Sequence, residues 1–351
     1  MPDHTPPASF PAAYGGDQPS GRRAALARAR ITGVGSYLPE RIVTNDELAR
    51  TIDTSNDWIV GRTGIRQRHI AGPGETCAVM AARAADAALR QACVPAAAVD
   101  AIILATATPD EAFPATAVRV QHLLGVTGGF AFDVSAACTG FIYALATADA
   151  FIRAGSARTI LVIGSEVYSR IMNWQDRTTC VLFGDGAGAV LLQAGPPAPD
   201  DAAASTPGIL STHLHADGAH GDMLYVDGAV GRPDRPGHLV MKGQEVFRHA
   251  VGKLSEAVEE ALSANHLTHA DVDWLVPHQA NARIIDAIGK KLNLPPGRVV
   301  LTVDRHANTS AASVPLALAE ACADGRIRAG HLVLMEALGG GLTWGSALVR
   351  M

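Results

Sequence analysis

Short apolar runs alternating with helical patterns predict an α/β protein made of two βα-alternating halves. Residues 101–106 (Ala-Ile-Ile-Leu-Ala-Thr) and 159–164 (Thr-Ile-Leu-Val-Ile-Gly) read as buried strands. The segments between them carry the 3.6-residue period of helices. After residue 200 the order of elements starts again. Val272-Asp273-Trp274-Leu275-Val276 echoes Val99-Asp100-Ala101-Ile102-Ile103, residues 332–336 echo 161–166, and 339–349 echo 184–192. Such a duplication implies parallel buried strands, with a site where the strand ends of both halves meet.

The whole chain narrows the classes of function. Its 351 residues suffice for a large core or two domains. With 48% hydrophobic and 18% charged residues it reads as a compact soluble protein. The net charge of −5 argues against a nucleic-acid binder. Five scattered cysteines without CxxC spacing suggest neither disulfides nor a metal site, and a reducing cytoplasm fits. No uncharged apolar run is long enough for a bilayer, so no membrane association is expected.

Taken in order, residues 1–28 are rich in proline, lack periodicity and are expected to be a disordered arm. Two domains follow, 29–200 and 201–351, divided at Pro196-Pro197-Ala198-Pro199-Asp200-Asp201. Residues 30–39 read as a strand, and Thr44-Asn45-Asp46-Glu47 has the pattern of a capping box. An alanine-rich helix spans Cys77 to Cys93, and another runs from Phe113-Pro114 to about Gly125. In the second half a strand starts at Gly208, and a long helix covers 246–266. Further strands are expected at 272–276, 299–303 and 332–336.

The chain is organised around Asp133-Val134-Ser135-Ala136-Ala137-Cys138-Thr139-Gly140-Phe141. A short apolar strand precedes it. Phe141, Leu145, Ala148 and Ile152 follow at helical spacing, with Gly155 as C-cap. Cys138 therefore sits on a strand–turn–helix elbow, where unpaired N–H groups and the helix dipole favour a thiolate and lower the thiol pKa. The plainer alternative is a small buried hydrophobe.

The second half supplies partners. His278 follows the strand 272–276, Asn308 follows 299–303, and Gly339-Gly340-Gly341 follows 332–336. A lone His or Asn at a strand end is usually a turn residue; three such features beside a cysteine elbow form a less accidental set. Cys, His and Asn serve a papain-like hydrolase, or acyl transfer followed by carbon–carbon bond formation. The duplication and the glycine-rich element favour the second.

Residues 133–141, 276–281, 306–313 and 339–349 resemble the signature segments of β-ketoacyl-acyl-carrier-protein synthase III, a thiolase-superfamily enzyme. Residues 55–60 and 62–65 (Ser-Asn-Asp-Trp-Ile-Val and Arg-Thr-Gly-Ile) extend the likeness, which runs from about residue 29 to the end. The resemblance implies thiolase-like duplicated βα halves in an α-β-α-β-α layering. It implies that Cys138 takes an acyl group, acetyl first among candidates, from acyl-coenzyme A. Malonyl-acyl-carrier protein then loses carbon dioxide, and its enolate, held by His278 and Asn308, attacks the thioester. No cofactor is needed beyond these substrates. The N–H groups of Cys138 and Gly340 would form an oxyanion hole.

By the same resemblance Trp58 and Arg177 would stack on the adenine, and Arg62 would meet the phosphates. Phe113 would cap the acyl pocket of the other subunit of a homodimer, and Met241 and Phe247 would line the pantetheine entrance. Arg248, Arg283, Lys290 and Lys291 would dock the acidic carrier protein. The bland alternatives are packing for Trp58, an ordinary core ring for Phe113 and solvated charge for the basic residues. Two departures stand beside the site: Ala307 where the family has Gly, and Leu342 where it has Phe. Ala307 is expected at negative φ, where its methyl is harmless; Leu342 is expected to widen the acyl end. Competing readings are a secondary-metabolism relative that primes a polyketide or acylates another nucleophile, and a non-catalytic thiolase-fold partner subunit.

Overall fold

The computed structural model describes residues 27–197, 205–228 and 232–351. The expected arm, apart from its last two residues, and the domain break at residues 200 and 201 lie outside the described residues. The first half contains β1 (Arg28–Tyr37), β2 (Ile42–Thr44), α1 (Asn45–Leu48), α2 (Asn56–Thr63), β3 (Gln67–His69) and α3 (Cys77–Ala92). It continues with β4 (Ala101–Ala105), α4 (Thr116–Leu123), β5 (Phe130–Val134), α5 (Gly140–Arg153), β6 (Thr159–Val167) and β7 (Asp185–Gly195). The second half opens with β8 (Gly208–Ala216), β9 (Leu224–Val226), β10 (Leu239–Met241), α6 (Gly243–Ala264) and β11 (Trp274–Pro277). It ends with α7 (Ala282–Lys291), α8 (Val303–His306), α9 (Ser313–Ala323), β12 (Leu332–Gly339) and β13 (Thr343–Arg350).

One sheet has the order β1-β7-β6-β4-β5, the other β11-β12-β13-β8. Helices α5 and α9 lie between them. Phe141, Leu145, Val314 and Leu318 share one core cluster with Ile103 and Val162 of the first sheet and Val333 and Met335 of the second. Helices α3 and α4 cover the outer face of the first sheet, and α6 and α7 that of the second. The five layers match the expected α-β-α-β-α arrangement. Because α5 is buried on both sides, it is apolar nearly all round.

The sheets are mixed, not parallel as the sequence led us to expect. β4 runs parallel to β5 and β6, and β11 to β12; β6–β7, β7–β1, β12–β13 and β13–β8 are antiparallel. At β12–β13 the cause is plain. Gly339 pairs with Thr343, and so short a connection makes a hairpin, whereas a parallel crossover needs a dozen or more residues.

Two local expectations fail for identifiable reasons. Residues 299–303 do not form a strand. Gln279 takes the place of a ladder: its Oε1 accepts from the N–H of Thr302 at 2.8 Å and of Val303 at 3.1 Å, and its Nε2 donates to the Val300 carbonyl at 3.0 Å. The capping box at Thr44 is half formed. Thr44 Oγ1 accepts from the Glu47 N–H at 3.2 Å, but the Glu47 carboxylate turns out to Arg41.

Candidate active site

β5 ends at Val134, a single turn spans Ala137–Thr139, and α5 begins at Gly140, so Cys138 occupies the expected elbow. Ala137 reaches it with φ +46°, a left-handed conformation that non-glycine residues seldom adopt. From the other half, Gly339 packs onto the elbow so closely that a Cβ there would lie 2.7 Å from the Cys138 nitrogen. Thr139 Oγ1 donates to the Thr343 carbonyl at 2.9 Å, and Thr343 Oγ1 to that of Ala136 at 3.1 Å. The nucleophile turn is thus stitched to the β12–β13 hairpin. Gly340 backs onto Leu224, whose carbonyl would lie 2.4 Å from a Cβ.

Cys138, His278 and Asn308 line one cavity of about 720 Å³. His278 leaves β11 with its N–H donating to the Glu336 carbonyl at 2.8 Å, and its Nδ1 lies 2.6 Å from Ser313 Oγ. Asn308 is oriented by Ser310, whose N–H donates to Asn308 Oδ1 at 2.9 Å, leaving the amide N–H groups for the cavity. Ala307 has φ +58° and ψ −164°, which overturns the expected negative φ. The backbone before Asn308 is therefore strained, in a region that glycine enters cheaply and alanine does not. Strain also marks Ser310, with φ +50°.

Burial governs the electrostatics. It pushes the His278 imidazole down to about 3, so the ring is neutral across the physiological range. It pushes the Cys138 thiol up to about 12, further raised by the nearby Glu166 and opposed by Ser310. The expected lowering of this thiol is thus corrected. Loss of water around the buried sulfur is the largest cause of the rise. Glu166 is itself buried and raised to about 7, although Thr106 and Thr108 hydroxyls and the Ala107 N–H bond to it.

Most residues named from the resemblance lie on the same cavity: Trp58, Arg62, Met241, Phe247, Arg248 and Arg283. The Trp58 ring carries the Arg62 guanidinium at 4.9 Å and that of Arg177 at 5.3 Å from its centroid, and Arg177 also pairs with Asp53 at 3.0 Å. Lys290 and Lys291 are exposed at the end of α7, and Asp286 shares their helix, so that surface is not uniformly basic. Phe113 is not a core ring: it is 84% exposed and away from the cavity of its own chain. Its loop leads into α4, whose first N–H groups at Thr116 and Ala117 are capped by Asp133 at 2.6 and 2.8 Å.

Leu342 is fully buried in the core behind β12 and does not line the cavity; Leu338 does. The structure therefore gives no basis for the expected widening at Leu342. Sequence reasoning also passed over Ser313, Ser310 and Glu166. A serine opening a mostly apolar helix and a glutamate near the end of a mostly apolar strand were the available signals.

Comparison with known proteins identifies the family. Residues 132–218 match the family described as 3-oxoacyl-[acyl-carrier-protein (ACP)] synthase III, and residues 262–351 match its C-terminal region. The chain is 66% identical over 325 residues to the β-ketoacyl-[acyl-carrier-protein] synthase III of Acidiphilium cryptum, covering 93% of this chain and all of that one. The crystal structure of 3-oxoacyl-[acyl-carrier-protein] synthase III from Aquifex aeolicus superposes with a TM-score of 0.85 at 46% identity, over 92% of this chain and 100% of that one. The priming β-ketosynthase of the R1128 polyketide pathway superposes with a TM-score of 0.87 at 36% identity, over 95% and 99%. The chain therefore belongs to the 3-oxoacyl-[acyl-carrier-protein] synthase III family and is a thiolase-fold condensing acyltransferase.

Proposed function

We propose that the protein initiates fatty acid synthesis in two half-reactions centred on Cys138, with acetyl-coenzyme A and malonyl-acyl-carrier protein as substrates. In the first, the Cys138 sulfur attacks the thioester carbonyl; the carbon–sulfur bond to coenzyme A breaks, and the thiol proton ends on the departing coenzyme A. The N–H groups of Cys138 and Gly340 stabilise the tetrahedral oxyanion. In the second, malonyl-acyl-carrier protein loses carbon dioxide, and the electrons of the broken bond form an enolate. His278 and Asn308 donate to its oxygen while its carbon attacks the acyl-Cys138 thioester. The Cys138 thiolate leaves and takes up a proton, which its raised pKa favours.

The observation that carries this reading is the convergence of a buried thiol, a neutral buried imidazole and an aimed carboxamide on one cavity. Neutral donors stabilise an enolate without protonating it. The same convergence tells against a non-catalytic partner subunit. A polyketide-priming role is the weaker alternative, since the priming synthase matches at 36% identity and the A. cryptum protein at 66%.

Trp58, Arg62 and Arg177 would receive the nucleotide of coenzyme A, and Met241 and Phe247 the pantetheine arm. Arg248 and Arg283, exposed on the cavity lining, would meet the acidic carrier protein, with Lys290 and Lys291 farther along α7. A homodimer is supported by the exposed Phe113 ring and by β5, an apolar half-buried strand at the edge of its sheet. The five cysteines are free and no described helix is long and apolar enough to cross a membrane; we place the protein in the cytoplasm.

Turnover of acetyl-coenzyme A with malonyl-acyl-carrier protein to 3-oxoacyl-carrier protein tests the reading. His278→Ala and Asn308→Ala should each lower condensation about 100- to 1000-fold, on the scale of one oxyanion-hole donor. Acylation of Cys138 should survive in both; near-normal condensation in either contradicts the enolate role.

A further inference from the structure

We propose that Ser313 fixes the tautomer of His278, holding the imidazole as an Nε2–H donor toward the enolate. Ser313 opens α9, is 1% exposed and has its Oγ 2.6 Å from His278 Nδ1. Nothing assigned so far gives this serine a role.

Either atom of that short contact can be the donor, and the surroundings decide which. The Gln279 N–H already donates to Ser313 Oγ, at 3.3 Å. Gln279 itself is held rigid: its carboxamide donates to the carbonyls of Pro277 at 2.9 Å and Val300 at 3.0 Å and accepts from Thr302 and Val303. The serine oxygen therefore has its N–H donor, and its own proton goes to an acceptor within reach because leaving a buried hydroxyl unpaired is costly. Among the described residues the one acceptor recorded for that hydroxyl is His278 Nδ1. With the hydroxyl donating, Nδ1 carries a lone pair. The single proton of the neutral ring then sits on Nε2, the nitrogen opposite the Ser313 contact on a ring that lines the cavity.

This matters because an imidazole has two neutral forms, and the hydrogen bond at one nitrogen selects the form seen at the other. The opposite tautomer would point a lone pair at a developing enolate oxygen and repel it. Burial supports the assignment by removing the doubly protonated form, which would satisfy both nitrogens without any help from Ser313. Ser313 is thus a positioning residue, acting through His278 on the condensation step alone. The inference rests on the enolate role proposed for His278.

Two measurements test it. In histidine-¹⁵N-labelled wild type at neutral pH, the ¹⁵N shifts of His278, assigned by their loss in His278→Ala, should show protonated Nε2 and bare Nδ1. An Nδ1–H form would overturn the proposal. In steady-state assays, Ser313→Ala should lower malonyl-dependent condensation about tenfold or more, the scale of a lost donor alignment rather than a lost donor. Cys138 acylation by acetyl-coenzyme A should stay within about threefold, and Ser313→Thr, which keeps the hydroxyl, should recover most of the loss. Unchanged condensation in Ser313→Ala, or equal loss of acylation and condensation, would refute the tautomer role. A wild type that acylates but never condenses would instead refute the underlying reading. Should Ser313→Ala fail to fold, the ¹⁵N measurement on wild type still decides.

Discussion

Asn308 forms a single parallel β-rung with Phe183. Its N–H donates to the Leu182 carbonyl at 2.9 Å, and its carbonyl accepts from the Gly184 N–H at 3.0 Å. The rung ties an asparagine of the second half to the β6–β7 connection of the first. The chain arrives at it from the helical turn Val303–His306, and Ala307 absorbs the change of direction at φ +58° and ψ −164°. Ala307 is thus one of three strained non-glycine residues around the site, with Ala137 and Ser310.

Ala307→Gly releases about 1–3 kcal/mol of backbone strain. It gives up about 0.8 kcal/mol of buried methyl and roughly 0.4–1 kcal/mol of chain entropy. Stability measured by urea denaturation should therefore change by between about −0.8 and about +1.8 kcal/mol. Ala307→Val should lose more than about 2 kcal/mol, because a β-branched residue tolerates this conformation least. A Gly variant weaker than wild type by roughly 1.5 kcal/mol or more would contradict the left-handed geometry.

Glu336 gives a pH-dependent prediction. It is fully buried on β12, beside Pro277 in register, and neither carboxyl oxygen has a partner among the described residues. Burial raises its pKa from 4.5 to about 8, so the folded protein keeps a proton that the unfolded chain releases. Between those values the native state binds more protons, and the stability contribution falls as pH rises through the window. Wild-type Tm should carry a decline from pH 5 to 8 that Glu336→Gln lacks, leaving the variant the more stable of the two at pH 9. Parallel Tm profiles from pH 5 to 9 would contradict the buried acid.

Leu338 and Leu342 differ in what they face. Leu338 lines the cavity with Cys138, whereas Leu342 packs in the core with Leu254, Leu334 and Leu348. Leu338→Phe should shift acylation rates toward the shortest acyl donors in a series from acetyl to octanoyl. Leu342→Phe should leave that profile alone and lower Tm by overpacking, at a cost of about 1–3 kcal/mol. A profile that responds to Leu342→Phe alone would reverse the assignment.

What the sequence disclosed follows from the range of the interactions involved. α3 was legible from its alanine periodicity, and it ends where Cys93 takes a left-handed cap at φ +55°. The elbow at Cys138 was legible because a strand, a turn and a helix are local patterns. Its acidity was not, since the depth at which the sulfur sits depends on β12, β13 and the turn Ser310–Ala312, remote in the chain. The mixed sheet directions escaped for a similar reason, because apolar runs reveal burial but not direction. Gln279 stands for the rest: a side chain that replaces a β-ladder for residues 300–303 leaves no periodic trace. Phe113 was singled out through resemblance, yet only the folded chain distinguishes an exposed ring from a core one.

The proposed chemistry requires that one cysteine of five carries the acyl group. Cys77 and Cys180 are fully buried outside the cavity, Cys93 and Cys322 lie at helix ends, and Cys138 alone lines the cavity. Peptide mapping by mass spectrometry after brief incubation with acetyl-coenzyme A tests this most directly. A thioester is expected on the peptide containing Cys138, absent in Cys138→Ala and discharged when malonyl-acyl-carrier protein is added. An adduct on another cysteine, or one that persists in Cys138→Ala, would contradict it.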